Sequence, residues 1–206
     1  MLISYYFINM IIQKKLILAS SSPSRANILR NCGMKFVQVE PTCNEEIIKK
    51  KLKKHSNPML IAEKLSYEKA KSIGDIKKYT NHIVVGCDTL IYKDRKIFDK
   101  AKNIKEAKNK LIKLSGKQHK IISGLTILIK GEISLQCSET TYVKIRKLNS
   151  GQIDNYLKQA GKQILSSVGC YQIESLGPNI IEDIKGDFFN VMGFPLFKFL
   201  NHICKL

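Results

Sequence analysis

The chain has 206 residues, 44% of them hydrophobic, with 12 Gly, 5 Pro and no Trp, a make-up that excludes intrinsic disorder and collagen-like repeats. A chain of this length can bury enough apolar surface to fold without a metal or disulfide staple, as one large domain or as two lobes sharing a core. Lys and Arg number 35 against 17 Asp and Glu, a formal net charge of +18. Arg is the residue that bidentate phosphate and guanine recognition favours, and here it occurs only as Arg25, Arg30, Arg95 and Arg146. The lysine-rich stretches Lys49 to Lys54 and Lys93 to Lys120 read as solvated faces. No RNA-recognition aromatic motif, zinc finger or Arg-rich helix is present, so no specific nucleic-acid partner is expected, only a field that attracts polyanionic ligands.

Met1 to Gln13 is apolar but lacks a basic n-region and a small-residue cleavage site, and it is too short to span a bilayer. It reads as an N-terminal extension, residues 1–13, ahead of one domain at 14–206, with Met10 as an alternative start. No other segment approaches a membrane span, so no membrane partner is expected. The cysteines Cys32, Cys43, Cys87, Cys137, Cys170 and Cys204 form no C-x-x-C pair, which signals neither a zinc site nor a disulfide framework and points to a reducing, cytoplasmic compartment.

Leu16 to Ala19 is a short apolar run that reads as a strand, and the serine loop from Ser20 leads into a helix ended by Gly33. Ser22 is the expected N-cap with Pro23 at the first helical position, so the positive end of the helix faces the serine loop, an arrangement that binds anions. Between Met59 and Gly74 the apolar residues Ile61, Leu65 and Ile73 follow a helical stripe whose missing position is Lys69. Lys69 therefore points inward or toward a cleft, either as a lysine snorkelling at a core edge or as a functional cation. The strand IVVGCDTLIY, Ile83 to Tyr92, carries Asp88 inside an apolar run, where a carboxylate is costly unless paired or bound to a metal.

Ala101 to Leu114 reads as a helix with Ile104, Ala107, Leu111 and Leu114 on one side, closed by Ser115 and Gly116. Strands are expected at Lys120 to Ile129 and Ser138 to Leu148, a helix at Gly151 to Gln159, a short strand near Asn179 to Ile184, and a terminal helix after Pro195. The mixture predicts an α/β (or mixed α+β) fold with a mixed sheet. The apolar segment Val191 to Leu200 is either core or a homodimer contact.

Seven segments in order, LILASSSPSRANIL (Leu16 to Leu29), Asn44-Glu45, LSYEKA (Leu65 to Ala70), VGCDT (Val85 to Thr89), Lys100, LSGKQH (Leu114 to His119) and GDFFNVMGFPL (Gly186 to Leu196), resemble the Maf family of nucleotide pyrophosphatases. The resemblance implies an inosine triphosphate pyrophosphatase-like architecture, a long mixed sheet with two lobes enclosing a cleft. It also implies hydrolysis of a nucleoside triphosphate to monophosphate and pyrophosphate with a divalent cation, Mg²⁺ or Mn²⁺. It makes Ser20, Ser22 and Arg25 a phosphate loop, Lys69 and Lys100 further phosphate contacts, Asp88 the general base with metal ligation as its competing role, and Glu45 a metal ligand. The chain departs from the family pattern at Asn44, Ser24, Ala101 and Ser123. His119 reads as a structural hydrogen-bonder and is given no catalytic role.

In SSVGCYQIESLG (Ser166 to Gly177), Glu174 stands where the commoner pattern has Gln. A carboxylate accepts hydrogen bonds from a guanine edge and favours the cationic 7-methylguanine ring, whereas Gln pairs with thymine or uracil. Glu174 is therefore the candidate base reader, or else an exposed loop acid, and the resemblance extends toward the branch acting on 7-methyl-GTP, with dTTP and UTP as the other candidates. The alternative from another class is a non-catalytic nucleotide-binding regulator of cell division and septum formation.

Overall fold

The computed structural model describes residues 15–52 and 57–206; the expected extension at 1–13 lies outside them. Strand β1 (Leu16–Ala19), buried along its whole length, leads into α1 (Pro23–Asn31), with Ser22 as N-cap and Pro23 at the start as the sequence predicts. There follow β2 (Phe36–Val39), α2 (Glu45–Leu52), α3 (Pro58–Gly74), β3 (Ile83–Lys93), β4 (Lys96–Phe98) and α4 (Ile104–Leu114). The remainder is β5 (Gln118–Ile129), β6 (Glu132–Ile145), α5 (Ser150–Ala160), β7 (Ile181–Lys185), α6 (Phe188–Val191) and α7 (Leu196–Ile203).

The strands make one open, seven-stranded mixed sheet in the order β2-β1-β3-β5-β6-β7, with β4 beside β3. β1 runs parallel to both β2 and β3, while β4 on β3 and β7 on β6 are antiparallel. This is the α/β fold with a mixed sheet that the sequence predicts. Two compact units divide the chain, one formed by residues up to 88 with 123–139 and 193–206, the other by 89–122 and 140–192. Within the first, Ile17, Ala19, Ala70, Ile73, Val84 and Leu128 form a core. Within the second, α4 and α5 bury Leu111, Leu114, Ile153 and Leu157 with Ile121 and Val143 of the strands.

α3 carries the inward stripe expected from its spacing: Ile61, Leu65, Lys69 and Ile73 are all buried. Several boundaries differ from the sequence reading: β5 starts at Gln118 rather than Lys120, β6 ends at Ile145 rather than Leu148, and three further starts have a local cause. β6 begins at Glu132 rather than Ser138, because Lys130 (φ 53) and Gly131 (φ 81) make a two-residue hairpin turn with positive φ at both positions. Lys-Gly is a weaker hairpin signal than Asn-Gly, and the polar residues after it hid the strand. α4 starts at Ile104 because the Asn103 side chain accepts the Glu106 backbone N–H at 2.9 Å, and Ile104 is exposed rather than on the buried stripe. β7 starts at Ile181, since residues Gly177–Asn179 form a 3-10 turn.

The terminal segment that read as core or as a dimer contact puts Phe194, Leu196 and Phe199 in the core, while Phe197 is exposed. Among the described residues no helix is long and apolar enough to cross a membrane.

Candidate active site

The site is built in the first unit, where β1 stops and α1 begins. Pro23 supplies the helical φ of the first turn and has no N–H to satisfy, and the Ser22 hydroxyl accepts the Arg25 backbone N–H at 3.5 Å. Ser20 is buried, and its hydroxyl accepts the Ser22 backbone N–H at 3.2 Å. Gln38 of β2 donates from its amide to the carbonyl of Ser20 at 2.8 Å, which ties the serine loop to the neighbouring strand. Arg25 is itself buried. Its Nη1 donates to Ser20 Oγ at 3.1 Å and its Nε to the carbonyl of Gly193 at 2.8 Å, so the guanidinium is aimed before any ligand arrives. A helix N-terminus with a fixed guanidinium in its first turn has the donors and the positive charge that an anion requires.

The second half of the site comes from α3 and β3. Lys69 Nζ donates to Asp88 Oδ1 at 2.6 Å and lies 2.9 Å from Glu45 Oε1 at the start of α2. Lys69 and Asp88 are nearly inaccessible, whereas the Glu45 side chain is 42% exposed. Burial works against the lysine's charge, but the Asp88 carboxylate outweighs it together with Glu45 and despite the repulsion of Arg25, and Lys69 titrates above the ordinary lysine value. The other oxygen of Asp88, Oδ2, is buried and has no hydrogen-bond partner among the described residues. A buried carboxylate paired with a lysine through one oxygen, with the other oxygen unspent, can accept a proton or bind a cation.

The two halves share a carbonyl. Gly193 O accepts both Arg25 Nε at 2.8 Å and the Cys87 thiol at 3.1 Å, and Cys87 directly precedes Asp88. Burial pushes the Cys87 thiol up to about 11, so it stays a neutral donor. Sequence reasoning placed the Gly193 segment in a motif but gave Gly193 no task, and it missed Gln38. β2 is four residues long, lies at the sheet edge and has no fully buried residue, so its hydrophobic pattern is faint.

Among the described residues no group of three or more His, Cys, Asp or Glu could hold a metal ion. The donors present are the two carboxylates on Lys69, Glu45 and Asp88. Hard oxygens in that number, one of them unpaired and buried, fit a cation such as Mg²⁺ that takes one or two carboxylates and fills its shell with phosphate oxygens and water. Lys100 and Glu174 lie in the second unit, Lys100 exposed in the segment after β4 and Glu174 exposed in the turn ahead of the Gly177–Asn179 helix. His119 is also in the second unit, buried against the Tyr171 hydroxyl at 2.6 Å, which agrees with a structural role.

A family model described as Maf-like protein matches residues 15–206. A dTTP/UTP pyrophosphatase of Thermosipho africanus is 39% identical over 184 residues, covering 89% of this chain and 89% of its own. A 7-methyl-GTP pyrophosphatase of Bartonella henselae is 35% identical, covering 90% of this chain and 92% of its own. A nucleoside triphosphate pyrophosphatase of Legionella pneumophila is 34% identical, with 94% of each chain covered.

Proposed function

Since the chain belongs to the Maf-like family and is a nucleoside triphosphate pyrophosphatase, we propose that Asp88 is its general base and that Ser20, Ser22, Arg25 and Lys69 hold the phosphates. The observation that carries this reading is the buried Lys69–Asp88 contact at 2.6 Å, which fixes one carboxylate oxygen on a cation while leaving Oδ2 unspent.

The reaction is attack of water on the α-phosphorus. The P–O bond to the bridging oxygen breaks, pyrophosphate leaves, and the water proton passes to Asp88 Oδ2. Charge that builds on the phosphate oxygens is met by Arg25 and the α1 N-terminus, both in place beforehand, and by Lys69. A divalent cation, Mg²⁺ or Mn²⁺, would be held by Glu45 and Asp88, and when bound it neutralises phosphate charge. Lys100 is assigned to the phosphates and Glu174 to the base by their places in the motif order. The carboxylate of Glu174 favours 7-methylguanine over thymine or uracil, which makes 7-methyl-GTP the first candidate substrate and dTTP and UTP the next.

The six cysteines are free thiols, which supports a reducing, cytoplasmic setting. The relatives reported above are all pyrophosphatases, which leaves a non-catalytic regulator of septum formation without support of its own. The deciding experiment is pyrophosphate release by the purified protein with Mg²⁺ or Mn²⁺ across standard and modified triphosphates, beside an Asp88→Asn control. Release that the control loses supports the reading; no release from any nucleotide by folded protein overturns it.

A further inference from the structure

Lys69 stands between the same two carboxylates that the reading above gives to the metal. Its ammonium sits 2.6 Å from Asp88 Oδ1 and 2.9 Å from Glu45 Oε1, so it already occupies the two acids that would hold a divalent cation. Mg²⁺ binds carboxylate oxygens at about 2.0–2.1 Å and carries twice the charge, so ammonium and metal cannot share those acids without strong repulsion. The site offers two carboxylates and, among the described residues, no third His, Cys, Asp or Glu to complete a metal-binding group, so it binds a divalent cation weakly unaided.

We propose that Lys69 is the resident counter-ion of the metal-free site and competes with the divalent cation for Glu45 and Asp88, so that metal binding releases Lys69 toward the substrate phosphates. The inference rests on the metal assignment of Glu45 and Asp88 made above. It has a thermodynamic consequence. Triphosphate oxygens both complete the metal's shell and give the departing ammonium a new partner, so metal and nucleotide load cooperatively and each raises affinity for the other by the same factor. The unpaired Asp88 Oδ2 gives the incoming cation a first foothold while Oδ1 is still held by the lysine.

The test is Mn²⁺ binding to the nucleotide-free protein, read from the electron paramagnetic resonance of free Mn²⁺, for the wild type, Lys69→Met and Lys71→Met. Lys71 is an exposed residue of the same helix and controls for loss of one positive charge. Lys69→Met is expected to tighten Mn²⁺ binding about tenfold while Lys71→Met leaves it near the wild-type value. Equal or weaker binding by Lys69→Met, or equal tightening by Lys71→Met, overturns the proposal. Should Lys69→Met fail to fold, reductive methylation of the wild type decides. Saturating Mg²⁺ should raise labelling of Lys69 as read by mass spectrometry, and unchanged labelling overturns the competition. Neither readout requires turnover. Absence of pyrophosphate release would thus remove the enzymatic reading and leave the competition standing, and the converse result would do the opposite.

Discussion

A Cβ on Gly86 would lie 2.1 Å from the carbonyl oxygen of Ser66, inside the distance any real side-chain atom reaches. The glycine, two residues ahead of Asp88 on β3, lets the backbone of α3 approach the strand directly. The Ser66 hydroxyl, one turn ahead of Lys69, pairs with Thr126 Oγ1 at 2.8 Å in the same buried layer. That close approach is what allows Lys69 to reach Asp88. Gly86→Ala forces the helix backbone off the strand, because the obstructing atoms are the Ser66 carbonyl oxygen, the Ala70 nitrogen and the Ala70 Cβ, none of which can rotate away. It should lower stability by about 1–3 kcal/mol in urea unfolding and reduce pyrophosphate release in the protein that remains folded. Gly74→Ala meets only a flexible Leu128 methyl at 3.2 Å, and should leave turnover near the wild-type value.

Asp88→Asn preserves shape and a hydrogen-bond acceptor for Lys69 but removes the basic oxygen. Circular dichroism should be unchanged while kcat falls by about 10²-fold or more, as expected when a general base is lost. A smaller loss with a large rise in KM would move Asp88 from proton transfer to binding.

Arg25 reaches two acceptors in different directions, Ser20 Oγ and the Gly193 carbonyl, through a planar fork that a lysine cannot imitate. Arg25→Lys keeps the charge and loses the geometry. KM for the triphosphate should rise about tenfold, with a smaller change in kcat, measured by steady-state pyrophosphate release.

His119 contributes a pH dependence to stability. Burial, with help from the Lys93 charge, lowers its pKa from 6.5 to about 4 in the folded chain. The unfolded chain therefore binds more protons between those values, and stability falls as pH drops from 6.5 toward 4, by about 3 kcal/mol at the limit. Urea unfolding at a series of pH values should show that slope, and His119→Asn should flatten it.

If Glu174 reads the base, Glu174→Gln should move the ratio of kcat/KM values from 7-methyl-GTP toward dTTP and UTP, while Asp88-dependent turnover persists. An unchanged ranking of nucleotides removes Glu174 from base recognition.

The serine loop and α1 were legible in the chain because their signals are local: Ser22, Pro23 and the apolar run of β1 act within a few residues of one another. Lys69 and Asp88 were legible as anomalies, a cation in an apolar helical stripe and a carboxylate in an apolar strand, which cost free energy unless something distant compensates. β2, α2, β4 and α6 were not legible, since they are short or carry little buried surface. The start of β6 was hidden by a turn whose residues give a faint signal.

What the sequence determined by itself, then, is the set of unusual residues and the elements that bear them, because helix caps and hydrophobic periodicity are near-neighbour effects. Their partners come from long-range packing: Lys69 serves Asp88 and Glu45 together, Gly193 presents one carbonyl to both Arg25 and Cys87, and Asp88 Oδ2 is left unspent. Those relationships join residues 19 to 168 positions apart, brought together by the burial of apolar faces that no short window of sequence encodes.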